Sequence, residues 1–194
     1  MFNILVKERI RGFSNLVFRT KGGIRTPLFD MFVPRHNNIL FIFEGPTYGK
    51  MLVPAHNIIT DAGDIHYAQR AVAETLTNAF GILELGSAGT PGKSANRSSF
   101  TPISSTQKAH DATYPRRNDN DADNTGAGTR IVTFRTSYTA ADFNATGIAR
   151  GWITNTSPGA SEPILTGFTL PNSPFDKSAS DSLKVFTNHT MNGV

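Results

Sequence analysis

A mainly β fold, a β-sandwich-like domain with one α-helix, is what this sequence predicts, and three observations carry the expectation. Hydrophobic residues make up 38% and charged residues 18% of the 194, against roughly 45–50% and about 25% in ordinary domains. Thr, Ser, Asn and Gly fill the difference, together with 11 Pro, and this mixture favours strands and turns. Short runs alternating apolar and polar residues recur between Gly and Pro breaks. Only one stretch, about 61–80, has helical periodicity.

Taken in order, residues 1–55 read as short strands at Asn3–Val6, Leu16–Arg19, Asn38–Phe43 and Lys50–Val53. Breaks at Gly22-Gly23, Thr26-Pro27, Val33-Pro34, Gly45-Pro46 and Val53-Pro54 separate them,. Ile39-Leu40-Phe41-Ile42-Phe43 is apolar without alternation, the pattern of a strand covered on both faces,. The helix over 61–80 carries Ile65, Ala68, Val72, Leu76, Ala79 and Phe80 on one stripe, which is expected to pack on the core,. Asp61 is the expected N-cap, Asp64 suits the positive end of the helix dipole, and Gly81 suits the stop.

A strand over Ile82–Leu85 follows. Residues 92–128 are then mostly polar, and so long a stretch without elements is uncommon inside a domain. It is expected to be disordered or to project as a loop held by neighbours. The strand pattern returns at Thr129. Val132, Phe134, Thr136 and Tyr138 alternate with Ile131, Thr133 and Arg135, and further strands are expected over Gly147–Thr154, Pro163–Leu170 and Asp181–Met191,. The last presents Leu183, Val185, Thr187, His189 and Met191 on one face. The organisation expected is a basic N-terminal arm over 1–35 and a single domain over 36–194 with 92–128 inserted.

Composition excludes several classes. No apolar run approaches the roughly 18 residues of a membrane helix, and the charged start (Lys7, Glu8, Arg9, Arg11) is not that of a secretory signal,. With no Cys, disulfides, zinc–thiolate sites and cysteine nucleophiles are out. The net charge is +4. Residues 1–35 hold seven basic side chains (Lys7, Arg9, Arg11, Arg19, Lys21, Arg25, Arg35) against Glu8 and Asp30, a net of +5, so the remainder sums to −1. On a strand Lys7, Arg9 and Arg11 would share one face. With no aromatic–basic or finger motif to read bases, this arm is expected on an acidic protein surface rather than on nucleic acid. Phe2, Phe13, Phe18, Phe29 and Phe32 would be its apolar anchors, and Lys7, Arg9 and Arg11 would fix its register,.

Chemical motifs are incomplete. Gly86-Ser-Ala-Gly-Thr-Pro-Gly-Lys-Ser94 approaches a phosphate loop, but Ser87 stands where the first Gly belongs and no patterned helix follows,. Asp119, Asp121 and Asp123 occupy the first, third and fifth places of a calcium loop, while Asn124 and Arg130 stand where Gly and Glu are needed,; they are weak metal candidates. His36, His56, His66, His110 and His189 are scattered, with no zinc-binding pair on the helix,. No catalytic residue and no cofactor is expected, and the chain reads as a non-enzyme.

His56-Asn-Ile-Ile-Thr-Asp-Ala-Gly63 leads into the helix, and Phe80-Gly-Ile-Leu-Glu-Leu-Gly-Ser-Ala-Gly-Thr90 follows it. This arrangement, with the closing segment Asp181-Ser-Leu-Lys-Val-Phe-Thr-Asn-His-Thr190, resembles a group of small virion proteins of tailed bacteriophages. The likeness spans roughly residues 50–190; the N-terminal 50 residues lie outside it, and the polar loop is longer than in the group. The resemblance implies a structural piece of the tail, neck or fibre-attachment region, working as a symmetric oligomer. Copies of itself and other virion proteins would be its partners, with no membrane involved. The alternatives are a capsid decoration protein and a glycan- or receptor-binding module on the virion surface, the latter using Trp152, Tyr114 and the Asp119–Asp123 cluster.

Overall fold

The computed structural model describes residues 18–20, 38–117, 131–156, 159 and 161–191. The protein is mainly β. The longest elements are β2 (Asn38–Gly45), β3 (Gly49–Ile59), β4 (Phe80–Gly89), β8 (Ile131–Tyr138), β10 (Arg150–Asn155), β11 (Ile164–Thr169) and β13 (Ser182–Thr190). Short strands accompany them: β1 (Phe18–Thr20), β5 (Phe100–Pro102), β6 (Lys108–Ala109), β7 (Arg116–Arg117), β9 (Ala145–Ile148) and β12 (Phe175–Lys177). Among the described residues the one α-helix, α1, spans Asp61–Ala71.

Eleven of these strands form one antiparallel sheet. Its path is β5-β4-β10-β11-β3-β2-β13-β8-β7, with β1 beside β3 and β6 beside β4. The sheet curls until its two ends meet through residues 103–117. On one side β6 pairs Ile82 with Ala109 and Leu83 with Lys108. On the other, Asp111 N–H donates to Arg135 O at 2.8 Å, and β7 pairs Arg116 with Thr133. Tyr138 on β8 donates its hydroxyl to Thr106 O at 2.7 Å. The sandwich-like core expected from alternation is therefore enclosed by one continuous, barrel-like sheet.

Strand alternation decides what is inside. Register aligns Tyr138, Leu183, Phe43 and Met51 across four strands, and Phe41, Val185 and Val53 one step along. These residues join Leu83, Leu85, Ile153 and Phe168 in a single core. Gly151 on β10 is glycine because the Phe168 ring lies over it; a Cβ there would meet the ring at 2.4 Å. One end of the barrel is covered by the β9–β12 pair. There Phe175 packs on Phe43 (5.7 Å between ring centres), and the Lys177 ammonium donates to Phe143 O at 2.7 Å. The other end is covered by α1.

Four sequence expectations need correction. β3 runs straight through Val53-Pro54; Pro54 falls between the positions where β1 and β11 pair with β3, where a missing N–H costs least,. Helix α1 stops at Ala71 rather than near 80, because Ala73 takes a left-handed conformation (φ 56°) and Thr77 folds back onto the Gln69 side chain. Phe80 and Gly81 belong to β4, not to the helix end. Of the polar stretch, residues 97–117 are built onto the sheet through β5, β6 and β7 rather than projecting from it.

Candidate interaction surface

Helix α1 starts where β3 ends. Thr60, not Asp61, is the N-cap: it is extended (φ −80°, ψ 172°) and accepts from Gly63 N–H at 3.1 Å,. Its hydroxyl also donates to Ile164 O on β11. Asp61 and Asp64 complement the positive dipole end, and Arg70 the negative one,. Lys93 pairs with Asp64, and Asp61 N–H donates to Lys93 O at 2.8 Å. The lysine of the phosphate-loop look-alike is thus engaged with the helix.

The helix rests on its polar side. Gly63 lies against β11 so closely that a Cβ would stand 2.3 Å from Leu165 O. His66 packs edge-on to Phe80 (5.3 Å), with Nδ1 3.2 Å from Asn78 O. Tyr67 reaches into the barrel end, where its hydroxyl meets His189 Nδ1 at 2.5 Å. The surroundings are polar: Asn57 donates to Thr166 Oγ1 at 3.0 Å, and Thr187 is buried beside them. A helix covering such an opening presents hydrogen-bonding side chains to it, so the aliphatic stripe turns outward. Ile65 is 55% and Val72 66% exposed, and Ala68 between them is exposed as well. The stripe expected to pack on the core faces solvent.

Two further clusters lie outside the helix, one buried around Trp152 and one half-buried around Tyr114. Trp152 is fully buried, stacked on Phe100 at 4.6 Å, and donates its indole N–H to Glu84 Oε2 at 2.9 Å. The same carboxylate receives Arg97 Nε (2.7 Å) and Nη2 (2.9 Å) and Gln107 Nε2 (3.0 Å). The bond to Glu84 holds the Arg97 guanidinium above its usual range. Tyr114 lies between two cations, Arg116 at 4.7 Å and Arg135 at 4.4 Å from its ring centre. Trp152 and Tyr114, the aromatics expected to contact a glycan, serve the protein's own packing.

Nothing in the spacing of His66, His110 and His189 signals that they gather. Phe134 lies between His110 (5.1 Å) and His189 (5.5 Å), and Tyr67 links His189 to the helix. Burial pushes His189 down to about 3 and His110 to about 4, so both imidazoles are neutral at ordinary pH. Burial raises the Tyr67 phenol, so it stays protonated beside the neutral His189 ring. His189 has no exposed surface, and its Nε2, like that of His110, has no partner among the described residues. A sealed imidazole offers no substrate an approach, and this network is structural. Among the described residues, no group of three or more His, Asp or Glu side chains could hold a metal ion, and no helix is long and apolar enough to cross a membrane.

Of the residues expected to bind partners, Lys7, Arg9, Arg11, Phe13, Phe29 and Phe32 lie outside the described residues, as do the calcium candidates Asp119, Asp121 and Asp123. Phe18 opens β1 opposite Leu52 of β3. Comparison with known proteins returns no family model, no curated protein and no solved structure that matches this chain.

Proposed function

We propose that this chain is a non-enzymatic structural component of a tailed bacteriophage virion, built into the tail, neck or fibre-attachment region as a symmetric oligomer. The observation that carries the reading is the outward aliphatic face of α1. Ile65 and Val72 are two of the three exposed large hydrophobics among the described residues, and they lie on one helical stripe. Burying such a side chain contributes roughly 1.5–3 kcal/mol, a gain the isolated subunit leaves unused and a neighbour would realise. Internally satisfied clusters support the same reading: the Glu84 and His189 groups serve the fold and leave α1 as the surface with unused apolar area. The likeness of the 56–63, 80–90 and 181–190 segments to phage virion proteins supplies the setting. The basic residues of the first 35 supply a second contact, to an acidic neighbour. A receptor-binding role has less support, since Trp152 and Tyr114 are occupied within the subunit.

Quantitative mass spectrometry of purified particles tests the proposal. A fixed number, on the order of three to twelve copies per particle, is expected for a ring or joint. Hundreds of copies would move the protein to a capsid decoration, and absence from particles overturns the virion assignment.

A further inference from the structure

Leu40, Ile42, Leu52 and Phe186 form an apolar cluster separate from the core. Register aligns Ile42 with Leu52 and Leu40 with Phe186, on the side of β3, β2 and β13 that faces away from the barrel interior. All four are buried, as are Pro54, Thr133 and Asn188 on the same side. Among the described residues, no element lies across this face.

Topology bears on the occupant. β1 pairs with Lys50–Leu52 of β3, and β2 pairs with those same residues from the opposite edge. β1 and β2 therefore flank β3. Thr20, the last residue of β1, is opposite Lys50, and Asn38, the first of β2, is opposite His56. The chain between them must cross β3 and travel back along it by roughly 20 Å. The inner route is filled by the core and covered at its ends by Phe175 and by α1, which leaves the outer face as the open route. An extended segment of this length reaches more than about 50 Å, which leaves ample chain to lie on the sheet. The segment contains Leu28-Phe29-Asp30-Met31-Phe32-Val33, whereas residues 118–130 hold no apolar side chain larger than Ala.

We propose that the occupant of this face is the chain's own segment 21–37, docked through Leu28, Phe29, Met31 and Phe32 onto Leu40, Ile42, Leu52 and Phe186. This goes beyond the virion reading and does not depend on it. It divides the N-terminal region in two: Phe29 and Phe32 belong to the subunit's own sheet, while Lys7, Arg9 and Arg11 remain for a neighbour.

Because the chain has no Cys, disulfide trapping in the full chain tests the proposal cleanly. One Cys replaces Leu52 or Ile42, and a second replaces Leu28, Phe29 or Phe32 in turn, with Phe2 and Val6 as comparison positions. Intramolecular disulfides are expected in at least one 28–32 pairing, at about tenfold the rate of the Phe2 or Val6 pairings, because docking raises the effective concentration. Disulfides that join only two different chains would give the face to a neighbour's segment and overturn the proposal. So would faster trapping at Phe2 or Val6, or no trapping from 28–32. As a second readout, Phe29→Asp with Phe32→Asp is expected to speed amide hydrogen exchange in β2 and β3 by about tenfold or more; unchanged exchange overturns the proposal equally.

Discussion

Two regions on the outside of the barrel carry apolar side chains and fare differently. Over β4, β10 and β11, Trp152 and Ile164 are covered by Phe100 and Ala95, with every polar atom of the Glu84 carboxylate engaged. On α1 and its C-terminal cap, Ile65 and Val72 are bare. The first region has a dedicated cover, residues 93–107, tied down by the Arg97–Glu84 ion pair and the short strand β5. The helix has none among the described residues, although its inner side is fitted closely to β11. The difference teaches that the fold is complete without the aliphatic face of α1, and four predictions break or sharpen that contrast.

The largest effect is expected at Glu84. Glu84→Ala leaves the Arg97 guanidinium, the Trp152 indole N–H and the Gln107 amide facing a void, and breaking a buried ion pair from one side costs about 3–5 kcal/mol. Urea denaturation measures it. A loss under about 1 kcal/mol would mean that the cover is held by packing alone and that the contrast with α1 is one of degree.

Acid comes next, and it acts on the seat of the helix. His189 and His110 bind protons in the unfolded chain near the ordinary 6.5, but in the fold only near about 3 and about 4. Between those values the unfolded state holds protons the folded state excludes, so stability falls as pH falls from about 6.5 toward 4, and these two groups no longer change it above about 7. Asp142, held at about 2 chiefly by its bond to Lys108, adds a separate loss below its ordinary 3.8 and does not blur that window. Melting temperatures at pH 7.5 and 5 that agree would show that water or movement of α1 relieves the buried imidazoles.

Thr60 tests the helix start with a smaller expected change. Thr60→Ala removes the cap on Gly63 and the bonds to β11, for a loss of about 1–2 kcal/mol. A change near zero would show that Gly63 and the Lys93–Asp64 pair suffice to hold α1.

The sequence displayed some of this and concealed the rest for identifiable reasons. β8 and β13 were legible because Phe134, Thr136 and Tyr138, and Leu183, Val185 and Thr187, keep strict alternation against one core. β2 was legible as a strand covered on both faces. The helix was legible as an element, but its orientation was not. A period of 3.6 reports which residues share a side, and only the polar opening formed by Asn57, Thr166 and His189, distant in sequence, decides which side turns in. For the same reason Trp152 looked available for a ligand: its partners Glu84, Arg97 and Phe100 come together only through strand pairing. Residues 97–117 looked unstructured because their strands are two or three residues long and are held by the sheet they join rather than by local pattern.

The smallest expected change in stability tests the functional reading most directly. Ile65→Ser with Val72→Ser alters two exposed side chains that the subunit's own packing does not use, so the folding free energy should move by no more than about 0.5 kcal/mol per site. Association should move far more: sedimentation velocity is expected to show the parent chain forming oligomers at concentrations where the double variant stays monomeric. A large stability loss would mean that the stripe supports the fold in a way its exposure does not suggest. Equal association by both proteins would free α1 from any part in assembly and leave the basic N-terminal residues as the sole contact. The pairing of unchanged stability with lost association is the outcome that separates a surface kept for a neighbour from one merely left uncovered, because a surface without a partner would leave stability and association both unchanged.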